Sequence, residues 1–341
     1  MNPRYAAILA KLHEEPQQDL NKNSKILLVD GMNTFIRAFC VSTTVNDNGV
    51  LIGGIVGFLY SIGYAIKTFA PTRVIILFDG EGGSKRRKEI FPEYKGNRSQ
   101  AARITKHPIY ADRINEKAAM QFQMKRIALY LQKLPVQFYI ANDIEADDAI
   151  AYLATNTFKE SEVVVMSSDQ DFYQLISDKI SVWSPTKKKL YTEESFFEEF
   201  NYPTQNHAIA KCFTGDNSDN IPGVRGVGLK SLQKYFPEFC EYVNRIQLKD
   251  IIIKCQNEKH NFYKKVLAES ETLYRNFELV KLSPDYISRD KKFIIDSYME
   301  QPIPHLSKLE LLKLMAEDGV VFKNHDQWIN QAFGKLSLFA K

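Results

Sequence analysis

Cysteine is scarce in this 341-residue chain: Cys40, Cys212, Cys240 and Cys255 are scattered, with neither metal-ligand spacing nor a disulfide framework. That excludes a disulfide-built fold, points to a reducing compartment and leaves the four as core or surface thiols. No apolar run approaches the length of a membrane span, and the N-terminus lacks the basic-then-apolar order of a secretory signal, so a cytoplasmic protein is expected. None of the six histidines (His13, His107, His207, His260, His305, His325) sits in a catalytic motif. Repeats and low-complexity tracts are missing as well. What remains is an ordinary globular composition, long enough for a full core and for two units.

The net charge of +4 is unevenly spread. Residues 85–126 carry twelve Lys or Arg against four acids, a local +8, and the rest of the chain sums to −4. A basic segment beside acidic clusters suits a polyanion held over a metal site.

From Lys25 the text alternates short β-rich runs with helical stretches. Strands are expected at 25–29, 73–78, 136–140, 163–166 and 180–183, with helices near 53–69, 120–134 and from Glu145 onward. Such alternation predicts an α/β fold, a mostly parallel sheet with helices on both faces. Residues 1–24 read as an extension in which Ile8, Leu9 and Leu12 permit a short amphipathic helix. Beyond residue 200 the text turns helical, giving an expected division into an extension (1–24), an α/β core (25–200) and a helical C-terminal domain (201–341). Residues 84–126 interrupt the core with a connection far longer than usual; sparse apolar periodicity predicts a segment that is mobile without ligand.

Nine carboxylates stand at the ends of apolar runs: Asp30, Asp79, Glu145, Asp147, Asp148, Asp169, Asp171, Asp216 and Asp219. Asp30 and Asp79 directly end the runs ILLV and VIILF, where turn chemistry is an equal competitor. "EADD" at 145–148 opens a helix, where the dipole alone favours acids. "SSDQD" then sets Asp169 and Asp171 two residues apart, able to point the same way from an extended turn. Clustering so many acids is unfavourable unless divalent cations neutralise them. Hard oxygen ligands without His or Cys suit Mg²⁺, or Mn²⁺ in its place. Two ions roughly 4 Å apart would flank a scissile phosphate, which removes the need for a side-chain base.

The blocks "LLVDGMNTFIRAF", "FDGEGGSKRRKEIFPEYKGNR", "EADDAIA", "SSDQDFYQL" and "GDNSDNIPGVRGVGLKS", in that order over about 26–240, resemble the structure-specific 5′ nucleases, or flap endonucleases. That group includes phage RNase H enzymes and the 5′-nuclease domain of bacterial DNA polymerase I. The resemblance implies a PIN-like nuclease core, a basic helical arch at 84–126 and a helix-hairpin-helix at 214–236. It makes Asp30, Asp79, Glu145, Asp147 and Asp169 ligands of a first metal, with Asp169 shared. Asp171, Asp216 and Asp219 serve a second, and Asp148 is an outer or second-site candidate. Tyr94 would stack on a base, Lys95 and Arg98 would hold the scissile phosphate, and Arg87 matches a further basic position. Gly223, Gly226 and Gly228 would turn the hairpin and offer N–H groups to a duplex phosphate, with K⁺ held by hairpin carbonyls. Lys230 and Lys234 would add phosphate contacts; Lys249, Lys254, Lys264 and Lys265 are either further contacts or a solvated face.

The activity implied is Mg²⁺-dependent 5′-3′ exonuclease and flap endonuclease cleavage, with RNase H action on primer RNA, in replication by a monomer. "VWSPTKKK" and "LYRNFELVKLSPDYI" are similar to phage RNase H, and no polymerase domain fits after the nuclease, so a free-standing phage-type enzyme is expected. The C-terminal "KLSLFAK" resembles peptides that dock on sliding clamps through Leu336, Leu338 and Phe339, with an apolar end folded on the core as the equal alternative; a single-strand-binding protein is another candidate partner. Competing classes are a PIN-type endoribonuclease and a non-enzymatic DNA-junction-binding protein.

Overall fold

The computed structural model describes residues 21–97, 113–242 and 245–340. The short helix expected near Ile8 to Leu12, and Arg98, lie outside the described residues.

The centre is a six-stranded sheet in the order β3-β2-β1-β4-β5-β6. Its strands are β1 (Lys25–Asp30), β2 (Arg73–Asp79), β3 (Gln137–Ala141), β4 (Glu162–Met166), β5 (Ile180–Ser184) and β6 (Lys189–Tyr191). β1 to β5 are mutually parallel and β6 runs antiparallel on β5. The strand period of two explains the near-continuous apolar runs, because both sheet faces are covered. Ile26, Leu28, Ile75, Leu77, Val163 and Val165 enter one core, while Leu27, Val29, Val74, Ile76, Val164 and Met166 enter the other.

The first core is closed by helices Ala146–Tyr152, His207–Thr214 and the helices between 229 and 300. The second holds helices Gly31–Val41, Gly53–Phe69 and Arg113–Leu131. It also holds Lys308–Asp318 and His325–Phe333, whose Leu311, Met315, Ile329 and Phe333 belong to the same apolar cluster as Ile62 and Ile66. The C-terminal part is helical as expected, and its helices pack on both faces of the sheet, a placement that local periodicity cannot reveal, since it shows an apolar stripe without its partner.

The two ends of the 84–126 segment are helical. Helix Lys85–Ile90 buries Arg87, and helix Arg113–Leu131 buries Glu116 and Gln123, whose amide oxygen accepts from the Ile55 N–H at 3.2 Å. Polar partners hold these ends where apolar periodicity is weak. Likewise the tail is no free peptide: Leu336 is 1% exposed within the second core, on the 3₁₀ turn Leu336–Phe339, and Ser337 Oγ donates to Phe333 O. Of the three residues of the expected clamp anchor, Leu336 is thus enclosed internally, Phe339 is half-buried and Leu338 is exposed. Among the described residues no helix is long and apolar enough to cross a membrane.

Candidate active site

β1 lies between β2 and β4, so the chain leaves it in opposite directions at the carboxyl end of the sheet, where open α/β sheets bind ligands. The acids assemble there. Asp30 ends β1 and caps helix Gly31–Val41, accepting from Asn33 N and from Ser167 Oγ, each at 2.9 Å. Asp79 ends β2 and accepts from Ala146 N at 2.8 Å, which fixes the start of helix Ala146–Tyr152 and hence Glu145, Asp147 and Asp148. Asp169 follows β4 and caps the turn Gln170–Leu175 through Asp171 N at 2.9 Å. The turn chemistry that competed with a functional reading is present, and the same residues serve both.

Burial pushes the Asp30 carboxyl up to about 7, with the charges of Asp169 and Asp79 adding to the rise. Burial likewise lifts Asp169 to about 7, helped by Asp171, and Asp147 goes well above the ordinary range under burial and the fields of Asp30 and Asp169. Asp171 is raised by burial, although Lys211 opposes the rise. Four acids from three segments thus destabilise one another's charge, as expected where a cation is to be received.

A second group of acids is neutralised from within. Arg87 donates through Nη1 to Glu145 at 2.8 Å and through both Nη atoms to Asp148 at 2.7 and 2.9 Å, while its Nε reaches Leu279 O. Both Asp148 oxygens accept from the buried Arg87, and both Glu145 oxygens likewise have internal donors, from Ser84 and Lys95 on Oε1 and from Arg87 and Tyr94 on Oε2. Tyr94 is 2% exposed, and its hydroxyl donates to Glu145 Oε2 and Asp219 Oδ2. Lys95 pairs with Glu145 at 2.8 Å from a backbone with φ of 56°, a strained conformation of the kind found at functional sites. Burial opposes the Glu145 charge, but Arg87, Lys95 and Ser84 overcome it and hold the group down to about 2.

The loop carrying Asp216 and Asp219 connects the two-residue strands Gly215–Asp216 and Ile221–Pro222. It is tied to the base of the basic segment: Lys95 N donates to Asp219 O, Asn97 Nδ2 to Asn217 O and Asn220 Nδ2 to Glu93 O, each at 2.9 Å. Buried Asn276 donates to Cys212 O and Pro222 O and ties the hairpin to helix Ser270–Val280. Gly223 is required because a Cβ would stand 2.5 Å from the Thr214 backbone, and Gly226 because its φ is +75°. Gly228 needs no such freedom, since an added Cβ meets nothing within 4 Å. Lys230 and Lys234 are exposed on helix Leu229–Tyr235.

Lys211, which sequence reasoning missed, pairs with Asp171 at 3.0 Å and with Asp216. A basic residue in the last turn of a helix is ordinary dipole complementation, so no sequence signal marked it. With internal donors on so many oxygens, no three acids among the described residues stand as an open ligand shell. The donor set is nonetheless all-oxygen and charge-frustrated around Asp30, Asp147 and Asp169, which fits a hard divalent cation. Beside it, an open cleft of about 660 Å³ is lined by Asp79, Glu145, Lys85, Lys88 and Lys95.

A parallel α/β sheet with frustrated carboxylates at its switch point and cations across the cleft defines an acid-site nuclease. The family model for the 5′-3′ exonuclease N-terminal resolvase-like domain matches residues 25–201. The 5′-3′ exonuclease of Bacillus subtilis is 36% identical over 234 residues, covering 66% of this chain and 73% of that one. DNA polymerase I of Bacillus caldotenax is 32% identical over 222 residues, 63% of this chain and 23% of the polymerase, so the chain spans under a quarter of that relative. Among solved structures, the phage T5 5′-exonuclease with bound divalent zinc has a TM-score of 0.63 at 27% identity, covering 81% of this chain and 98% of its own. The T5 flap endonuclease with DNA and metal ions has a TM-score of 0.60 at 27% identity, covering 86% and 99%. The chain belongs to the 5′-3′ exonuclease and flap endonuclease family.

Proposed function

We propose that this enzyme hydrolyses phosphodiesters at 5′ flaps and nicks, and in primer RNA paired to DNA, by a two-cation reaction during replication. The observation that carries the reading is the mutual destabilisation of Asp30, Asp147 and Asp169 beside a lysine-lined cleft. Asp30, Asp79, Asp147 and Asp169, with Glu145, would hold the first cation, and Asp171, Asp216 and Asp219 the second. Mg²⁺, or Mn²⁺ in its place, supplies there a polarised water and charge neutralisation at phosphorus. Lys95, with Arg98, holds the scissile phosphate and stabilises its developing charge. The hairpin at 223–228, with K⁺ on its carbonyls, and Lys230 and Lys234 hold the duplex by its backbone, independent of base sequence.

The test is Mg²⁺-dependent cleavage of a 5′ flap, a nicked duplex and an RNA-primed hybrid by the wild type and Asp147→Asn. Short 5′ products from all three, lost in the variant while duplex binding persists, are expected. Cleavage of the flap without divalent cation, or normal turnover by Asp147→Asn, overturns the reading. Efficient cutting of single-stranded RNA with no duplex would replace it by an endoribonuclease.

A further inference from the structure

Lys211 stands on helix His207–Thr214, which runs directly into the hairpin strand Gly215–Asp216. Its ammonium pairs with Asp171 from the turn after β4 and with Asp216 from the hairpin, joining the sheet to the helical region. The side chain is 14% exposed and its partners 16% and 13%, so solvent screens these charges weakly. Asp216 is further held by the Ser218 N–H and hydroxyl on its other oxygen. The Lys211 amine therefore pairs with an oxygen of each acid, whereas among the described residues Asp30, Asp147 and Asp169 have no such cation at ion-pair distance.

We infer that Lys211 is the resident counter-ion of the Asp171–Asp216 pair and competes with a divalent cation for it, so that the second site fills only when the ammonium is withdrawn. The inference rests on the two-cation reading above. A divalent cation entering between the two carboxylates must displace the amine and overcome its like charge. A lysine suits displacement, because it is a compact point charge on a flexible four-carbon stem with rotatable donors. Withdrawal has a chemical trigger, since a phosphodiester in the site offers the ammonium another anion. Because the lysine helix continues into the hairpin, duplex docked on 223–228 engages the same rigid element. Duplex and second cation then favour each other reciprocally, as linkage requires.

The test counts bound Mn²⁺ by electron paramagnetic resonance on the full chain, with and without a nicked 5′-phosphorylated duplex. Wild type is expected to bind one ion tightly and a second at least tenfold more weakly, and duplex strengthens the second. Lys211→Met should tighten the second ion about tenfold or more without duplex, and adding Asp216→Asn should erase that gain. Lys211→Arg, which keeps the charge, should behave as wild type. Lys211→Gln replaces the Met variant if circular dichroism shows that one unfolded. An unchanged or weaker second ion in the neutral variants overturns the inference while leaving the two-cation reading intact. One ion only in every protein, duplex present, overturns both.

Discussion

The Tyr94 hydroxyl donates to Asp219 Oδ2 across 2.9 Å, from a ring closed off in the first core. It also reaches Glu145 Oε2 at 3.1 Å, so one phenol spans the acids of helix Ala146–Tyr152 and those of the hairpin loop. The phenol thereby links two groups of acids that come from separate segments of the chain.

Tyr94→Phe separates this link from the expected base stacking, because phenylalanine keeps the stacking face and loses only the hydroxyl. Loss of one hydrogen bond to a charged partner is worth about 1.5–3 kcal/mol. We expect roughly tenfold or greater loss in kcat with duplex affinity nearly unchanged, measured by single-turnover cleavage and anisotropy. Wild-type turnover by Tyr94→Phe would return the ring to its stacking role.

Arg87 is a structural cation, so its removal should act on folding before it acts on DNA. The guanidinium and the Glu145 and Asp148 carboxylates are all buried, and deleting one partner leaves uncompensated charge at a cost of about 3–5 kcal/mol. Arg87→Ala and Asp148→Ala should each lower the denaturation midpoint strongly. The double variant should be much less than additive, because the two residues form one unit. Independent, additive losses in urea unfolding would break this assignment.

The strand-end acids were legible because an apolar run terminating in Asp locates a carboxylate at the sheet edge, and Asp30, Asp79 and Asp169 stand there. The roles of the cations were not legible. Arg87, Tyr94 and Lys95 lie in one motif, but spacing does not say which way a side chain faces, and Arg87 and Tyr94 turn inward onto acids more than fifty positions away. β6 escaped notice because three residues carry too little periodicity to register. The docking of helices Lys308–Asp318 and His325–Phe333 on the second face was equally hidden, since an amphipathic stripe names no partner.

Leu336 and Leu338 should differ sharply on truncation. Leu336 is enclosed by the second core, and large-to-small changes there cost about 2–5 kcal/mol. Leu338 is 66% exposed, and its removal should stay within about 0.5 kcal/mol. Thermal melts of Leu336→Ala and Leu338→Ala test this directly. Equal melts would mean that the tail is detached in solution, restoring a free clamp-docking peptide.

The raised carboxyls predict a pH-dependent stabilisation by divalent cation. Asp30 and Asp169 titrate near 7 in the folded chain against an ordinary value of 3.8, so the folded cation-free site holds protons that the unfolded chain has already lost. Their contribution to cation-free stability is therefore present at acid pH and is lost as pH rises through 7. His207, buried and depressed to about 3, pulls oppositely below 6.5, so absolute melts mix the two effects. The difference between cation-loaded and chelated melts cancels His207, because its environment is common to both. A cation must displace the protons on Asp30 and Asp169, so that difference should grow from pH 6 to 8 and proton release should accompany binding near pH 7. Asp30→Asn should reduce both effects. Titration calorimetry in two buffers of different ionisation enthalpy measures the protons, and zero release at pH 7 would show that these acids are already ionised in the chelated protein.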